Sequence, residues 1–222
     1  MNENLNRGVF MTNNYKIAII GGTGKVGRHI AAAALRKGYQ VRMLVRNPRK
    51  LDGQDDRIEI LQGNVENRDH IRQLLQDCDV VVNAFGQPPG DVPLYSSVTS
   101  IVLKVMNELE ISRYIGVTGG SLTLEGDRKR FTNKVGALLF RIFFPAMIKD
   151  KQKEAAIIQQ YCNIEWTLIR LPFVVEGAES GAIKVNLTDM PGLKISNQDI
   201  ASFIVRQAAE AKYIHKAPFI AT

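Results

Sequence analysis

Cysteine is scarce in this chain, and long apolar runs are missing. The 222 residues hold two cysteines, Cys78 and Cys162, and three histidines. The cysteines stand far apart, with no metal-ligand spacing and no histidine cluster beside them. That excludes a disulfide framework or a zinc site of familiar spacing, and no metal ligand is expected. Reduced thiols in or beside packed elements fit a cytoplasmic protein. The most apolar stretch, Val135 to Ile148, is too short to span a bilayer and is interrupted by Arg141 and Pro145, so no membrane is expected. Residues 1–14, MNENLNRGVFMTNN, lack the apolar region of a signal peptide and read as a disordered polar tail. Met1 and Met11 are both open as the natural start. No internal repeat, low-complexity tract or linker divides the rest, so residues 15–222 are expected to form one domain.

What is present is ordinary for a soluble globular protein: 45% hydrophobic and 23% charged residues. The net charge of +7 suits an anionic ligand, or a solvated basic face. The basic residues are spread over several segments without a nucleic-acid motif, so nucleic acid is not an expected partner.

The stretch Lys16 to Arg28, KIAIIGGTGKVGR, is the strongest local signal. Lys16 to Ile20 reads as a buried strand, and a helix continues to Lys37. Between them the glycines stand as G-x-x-G-x-x-G at Gly21, Gly24 and Gly27. In a dinucleotide site the first glycine permits the tight turn and the second lets backbone approach a pyrophosphate. The third lets helix and strand pack closely. The anion then sits on unpaired N–H groups at the positive end of the helix. The competing reading is a tight turn with no ligand.

A second strand, Gln40 to Arg46, is stopped by Asn47-Pro48. Its last residue bears on cofactor choice. An acid at this distance past the glycines bonds the ribose hydroxyls of NAD, whereas Arg accepts a 2′-phosphate. Here stands Arg46, with Arg49 and Lys50 behind it and no acid before Asp52. Guanidinium meets phosphate through paired, charge-assisted bonds, so NADP(H) is expected over NAD(H). The alternative is a solvated basic turn.

Further strands follow at Arg57 to Leu61, Asp79 to Phe85, Arg113 to Thr118 and Glu165 to Arg170. The run DVVVNAF suits a parallel strand covered on both faces. Ligands lie beyond the carboxyl ends of such strands, so Asn83 to Gly86 should border the cofactor. Helices are expected at Asp69 to Gln76 and Leu94 to Leu109, the latter with a core stripe of Val98, Ile101, Val102, Val105 and Leu109. Residues 121–134 read as a polar, basic loop. A helical stretch from Val135 to Tyr161 must bend or break around Pro145. Its first part has no clean polar face; it lines a substrate pocket, packs in the core or meets a second subunit in a homodimer, with core packing the simplest of the three. A strand at Ile183 to Leu187, a helix opened by Ser196 with Asp199 three residues on, and a strand at Pro218 to Ala221 complete the chain. The alternation gives an open, doubly wound, mostly parallel α/β sheet with helices on both faces, a single-domain Rossmann fold.

Taken together, IGGTGKVGR, LVRNP, QGNV, VTGGS and EWTLIRLP resemble the atypical short-chain dehydrogenase/reductase proteins. The subgroup they are most similar to is the NAD(P)H-binding one that includes biliverdin-IXβ/flavin reductases and NADH-flavin reductases. The resemblance runs from Tyr15 over nearly the whole chain. It implies a pyrophosphate held by Gly21, Thr23, Gly24, Lys25 and Val26, a 2′-phosphate on Arg46, and adenine beside Asn64 and Val65. It places Ala84, Phe85 and Gly86 along the ribose, adds Thr118 at the end of the fifth strand, and closes Pro172 and Phe173 over the nicotinamide. The family often has a cofactor-contacting lysine where this chain carries Lys149, Lys151 and Lys153, of which Lys151 is the choice. Ser121 matches a serine that faces nicotinamide and substrate, and is the candidate catalytic residue; it also reads as an ordinary strand-ending serine.

One family feature is absent. No tyrosine here has a lysine four residues later, so keto–alcohol chemistry by a Tyr-x-x-x-Lys pair is unsupported. The implied activity is an NADPH-dependent reductase of a flavin, quinone or similar conjugated small molecule, which takes a hydride without a strong general acid. The other reading is a non-catalytic NADP(H)-binding module that senses redox state or binds a protein.

Overall fold

The structure, a computed structural model, describes residues 15–48, 55–88 and 90–222. The expected tail 1–14, Arg49, Lys50 and Pro89 lie outside the described residues. The first half alternates strands and helices: β1 (Lys16–Ile20), α1 (Gly27–Arg36), β2 (Gln40–Val45), β3 (Ile58–Gln62), α2 (Arg68–Leu75), β4 (Val80–Asn83) and α3 (Tyr95–Glu108). After β5 (Arg113–Gly119) come two consecutive helices, α4 (Phe131–Phe143) and α5 (Pro145–Gln160), then β6 (Glu165–Leu171). The tail of the domain holds β7 (Phe173–Val175), β8 (Lys184–Asn186), β9 (Lys194–Ser196), α6 (Asn197–Ala209) and β10 (Phe219–Ala221).

Eight strands form one sheet in the order β3-β2-β1-β4-β5-β6-β10-β8, parallel except for the β10–β8 pair, and β7 pairs with β9 beside it. This is the expected doubly wound fold. Alternation along β1 sends Ile17 and Ile19 to one face, under α1 and α6, and Ala18 and Ile20 to the other, under α2, α3 and α5. Strands buried on both faces explain why β4 reads as the unbroken VVV of Val80, Val81 and Val82. The α3 stripe is core at Val98, Val102 and Val105, with Ile101 and Leu109 only partly buried.

Local signals acted as physical chemistry predicts. Ser196 caps α6, its Oγ accepting from the Asp199 amide at 3.0 Å. Pro145 opens α5 after Phe144 leaves helical geometry, and the two helices meet at a 112° bend. Two expectations need correction. The loop expected to run to Lys134 ends at Arg130, because α4 begins at Phe131. The apolar part of that helix is not core: none of its residues is buried. It lies outside both apolar clusters, while α5 packs on α3. Of the two thiols, Cys78 is buried, which pushes its pKa up to about 11, and Cys162 is exposed.

The loop before α4 is tied to the sheet by a buried ion pair. Arg170 on β6 reaches both carboxylate oxygens of Asp127 at 2.8 and 2.7 Å, stacks 3.5 Å from the centre of the Phe219 ring, and donates to the Ala217 and Leu187 carbonyls. Removing one partner of such a pair strands the other charge without solvent. Asp127→Ala should therefore lower unfolding free energy by about 3–5 kcal/mol in urea denaturation. A change under about 1 kcal/mol would show that water reaches the guanidinium.

Candidate functional site

The residues singled out by sequence come together along one edge. The carboxyl ends of β3, β2, β1, β4, β5 and β6 are followed by Asn64-Val65, Arg46, the glycine turn, Ala84 to Gly86, Ser121 and Pro172 in that spatial order. The strand order reverses between β1 and β4, which makes this the switch point of the sheet, where ligands bind.

The turn itself leaves no room for side chains. Gly21 has φ +77°, and a Cβ there would stand 2.4 Å from the Ala84 carbonyl oxygen. A Cβ on Gly27 would stand 2.1 Å from the Gly21 carbonyl oxygen. Backbone from β1, β4 and α1 thus meets backbone directly. Gly24 lies exposed at the tip and donates its amide to Gly21 at 3.0 Å. Thr23 and Lys25 are exposed and Val26 half-buried, and among the described residues nothing accepts from their amides. Helix α1 also starts without a capping side chain and without an acid in its first turn. Such an end carries positive potential and open donors, and it repels no phosphate. These residues fit a pyrophosphate.

Arg46 follows β2 and is exposed beside this turn. Asn64 is exposed too, but its side chain is partly engaged: Oδ1 accepts from the Glu66 amide at 3.2 Å, closing a turn before α2. Its Nδ2 group is the part left to meet a ligand. Val65 is half-buried against the lower apolar cluster. Ala84 and Phe85 are half-buried and Gly86 exposed. Thr118 on β5 is 4% exposed, and among the described residues its hydroxyl has no hydrogen-bond partner. Pro172 is half-buried, whereas Phe173 holds a 70% exposed ring at the open end of β6.

Of the three lysines considered, Lys149 and Lys153 are exposed and Lys151 is buried between α3 and α5. Its Nζ lies 3.6 Å from the centre of the Tyr95 ring and 3.8 Å from Glu154 Oε2. Burial pushes the Lys151 pKa down and the Glu154 pKa up, the mutual attraction opposing both shifts. The Tyr95 ring in turn packs against Phe85, with centres 5.7 Å apart. Sequence reasoning missed the polar chain behind this contact. Asn83 Nδ2 donates to Thr99 Oγ1 at 3.2 Å and to the Tyr114 hydroxyl at 3.0 Å, and Thr99 donates to Glu154 at 2.8 Å. Asn83 Oδ1 accepts from the Phe85 amide at 3.1 Å, fixing the end of β4. The lone Asn in an apolar strand was the available signal.

Ser121 opens a cavity of about 420 Å³ between the loop after β5 and the helices α4 and α5. Lys134, Ala137, Leu138 and Arg141 form the α4 wall, and Ile148 and Gln152 the α5 wall. Lys129 lies beneath the loop, its Nζ donating to the Gly120 and Leu122 carbonyls at 3.0 and 2.8 Å and to Thr123 Oγ1 at 3.0 Å. This ammonium holds the backbone on both sides of Ser121. Gly120 is pinned from the other side, its amide donating to Leu171 at 2.7 Å.

Burial lowers the Lys129 pKa from 10.5 to about 8. Below about pH 8 the lysine is charged in folded and unfolded chains alike, and its burial costs stability. Between about pH 8 and 10.5 the unfolded chain keeps the proton that the folded chain releases, so this group's penalty shrinks as pH rises. Lys129→Met should remove that component. The slope of unfolding free energy against pH across this window should become less positive than in the parent; identical slopes would show that the ammonium is solvated.

Comparison with known proteins gives the family and agrees with the fold. The sequence model of a family described as NAD(P)H-binding matches residues 21–211. YwnB, an uncharacterized protein of Bacillus subtilis (strain 168), is 29% identical over 154 residues, 69% of this chain and 70% of its own. The isoflavone reductase homolog IRL of Zea mays is 31% identical over 80 residues, 32% of this chain and 26% of its own. A short-chain dehydrogenase/reductase of Veillonella parvula DSM 2008, solved in complex with NADP, superposes with a TM-score of 0.77 at 15% identity, covering 94% of both chains. A Rossmann-fold NAD(P)-binding family protein from Shigella flexneri gives 0.73 at 16% identity, again over 94% of both. At such identities the superpositions speak for the fold.

Proposed function

The chain belongs to the NAD(P)H-binding family, and on that footing we propose that it is an NADPH-dependent reductase of a flavin, quinone or similar conjugated acceptor. The observation that carries this reading is the open-amide glycine turn after β1, on the same sheet edge as Ser121, which opens a cavity after β5. The bound cofactor would supply the hydride. The rest falls to this chain's own residues.

Amides of the turn from Gly21 to Val26 hold the pyrophosphate, with Lys25 adding charge. Arg46 takes the 2′-phosphate, where the sequence has no acid from Arg46 to Leu51 to favour a bare ribose. Asn64 and Val65 flank the adenine, and Ala84, Phe85 and Gly86 follow the ribose. Lys151 acts through its neighbours: it holds Tyr95 against Phe85 and so sets the wall beside the ribose. The exposed Phe173 ring, next to Pro172, covers the nicotinamide and keeps water from it. Thr118 Oγ1, buried without a partner, donates towards the same end of the site.

Ser121 donates a hydrogen bond to the reducible group, and Lys129 fixes the backbone that presents it. No strong general acid is needed, because a conjugated acceptor delocalises the incoming charge and water entering the cavity can protonate it. A non-catalytic NADP(H)-binding module is the second reading, and the bare apolar face of α4 favours it.

Calorimetric titration with NADPH and NADH tests the cofactor assignment. Arg46→Ala should weaken NADPH binding about ten- to a hundredfold, the worth of a charge-assisted contact, and leave NADH within about twofold. Equal losses for both would remove Arg46 from the 2′-phosphate site. Ser121→Ala should lower turnover of NADPH with a flavin or quinone by about three- to tenfold, with binding of NADPH unchanged. Tight binding with no turnover on any acceptor in the parent protein would favour the second reading.

A further inference from the structure

The outer face of α4 is the least expected surface of the molecule. Phe131, Val135, Leu139, Ile142 and Phe143 recur at helical spacing on one side, with 80, 39, 47, 60 and 70% of their surfaces exposed. The other side faces the domain: Asn133 Nδ2 donates to Asp189 at 2.7 Å, and Ala137 lines the Ser121 cavity. A ligand in that cavity would meet the inner wall and leave the outer one bare. Exposed apolar faces of this kind mark a docking surface.

Charge and area choose the occupant. From Arg128 to Lys149 there are six basic residues and no Asp or Glu. Lys129 is buried and Arg130 pairs with Asp189 at 3.4 Å, whereas Lys134 and Arg141 flank the apolar strip and Arg128 and Lys149 stand exposed at its ends. A second copy docking through the same face would set these cations against their own counterparts. The face is also too small for that. A helix of 13 residues is about 20 Å long, and one side of it offers a few hundred Å², against the roughly 800 Å² per partner of a stable association. A short helix with an outward apolar face, aromatic residues and flanking cations is instead the form that lies in a lipid interface. Among the described residues no single helix is long and apolar enough to cross a membrane, and α5, which with α4 would have the length and composition, turns away by 112° and packs on α3, so the contact is with the surface.

We propose that the outward face of α4 docks the protein on an anionic lipid surface, with Phe131, Ile142 and Phe143 entering the headgroup boundary and Lys134, Arg141 and Lys149 meeting the lipid phosphates. The proposal is independent of the reductase reading. The apolar strip faces away from the cavity, and Lys134 and Arg141 stand at the border between the strip and the inner wall of Ala137.

Co-sedimentation of the full chain with large unilamellar vesicles tests it. One set is phosphatidylcholine; the other carries about one third phosphatidylglycerol, enough to give a negative surface potential. The expected result is pelleting with the anionic vesicles, at least about tenfold weaker on neutral ones and weakened by added salt. Ile142→Asp and Phe143→Asp, both at exposed positions, should each cut the partition coefficient about tenfold or more while calorimetric binding of NADPH stays at the parent value. Absence of pelleting by the parent chain overturns the proposal. So does equal pelleting by parent and both variants. A parent chain that stays in the supernatant as a dimer, and becomes a monomer in Phe143→Asp, would overturn it in favour of a second copy.

Discussion

Everything at the open edge of this sheet rests on a backbone-to-backbone contact. The carbonyl of Gly21 lies where a side chain of residue 27 would have to be, and the carbonyl of Ala84 lies where a side chain of residue 21 would be. Two consecutive elements, β1 and α1, and one distant in sequence, β4, therefore close to within van der Waals range with nothing between them. That closeness brings the first turn of α1 directly over the end of β1. It also lets β4 end beside the same turn. Any side chain in the contact would lift the helix from the sheet and carry its open amides away from the edge.

The parallel strands then distribute the remaining groups. Because each strand delivers its last residue to the same edge, Arg46, Asn64, Phe85, Ser121 and Pro172 need no contact with one another to serve one elongated ligand. What they need is support from behind. Buried polar groups supply it: Asn83 fixes the amide of Phe85, Lys129 the carbonyls around Ser121, and Arg170 the carboxylate of Asp127 in the same loop. Each of these is a long or polar residue spent in the interior, where it is satisfied by partners that hold functional backbone in place.

The parts legible in the sequence are those whose cause is local. The glycine spacing, the apolar run of β4, the Ser196 cap and the break at Pro145 each follow from neighbouring residues, and each is found within a residue or two of its expected place. The less legible parts depend on partners far along the chain. Nothing near Arg170 announces a partner 43 residues upstream, so its burial as half of an ion pair was invisible. Lys129 stood as one basic residue among several in a segment that read as a loop. Nor does anything at Asn64 alone announce the turn that occupies its Oδ1. The misplacement of α4 has a different origin. A stretch such as VGALLFRIFF carries the same pattern whether the domain buries it or leaves it outside, and the decision rests on how distant elements such as α3 and α5 pack.

Helix α4 contributes no buried residue, so the fold places few demands on its composition. Its sequence is answerable to the cavity on one side and to the surroundings on the other, while the sheet is indifferent to both. The domain therefore carries an exchangeable attachment: the thirteen residues of α4 can be rewritten without disturbing the two apolar clusters or the glycine turn.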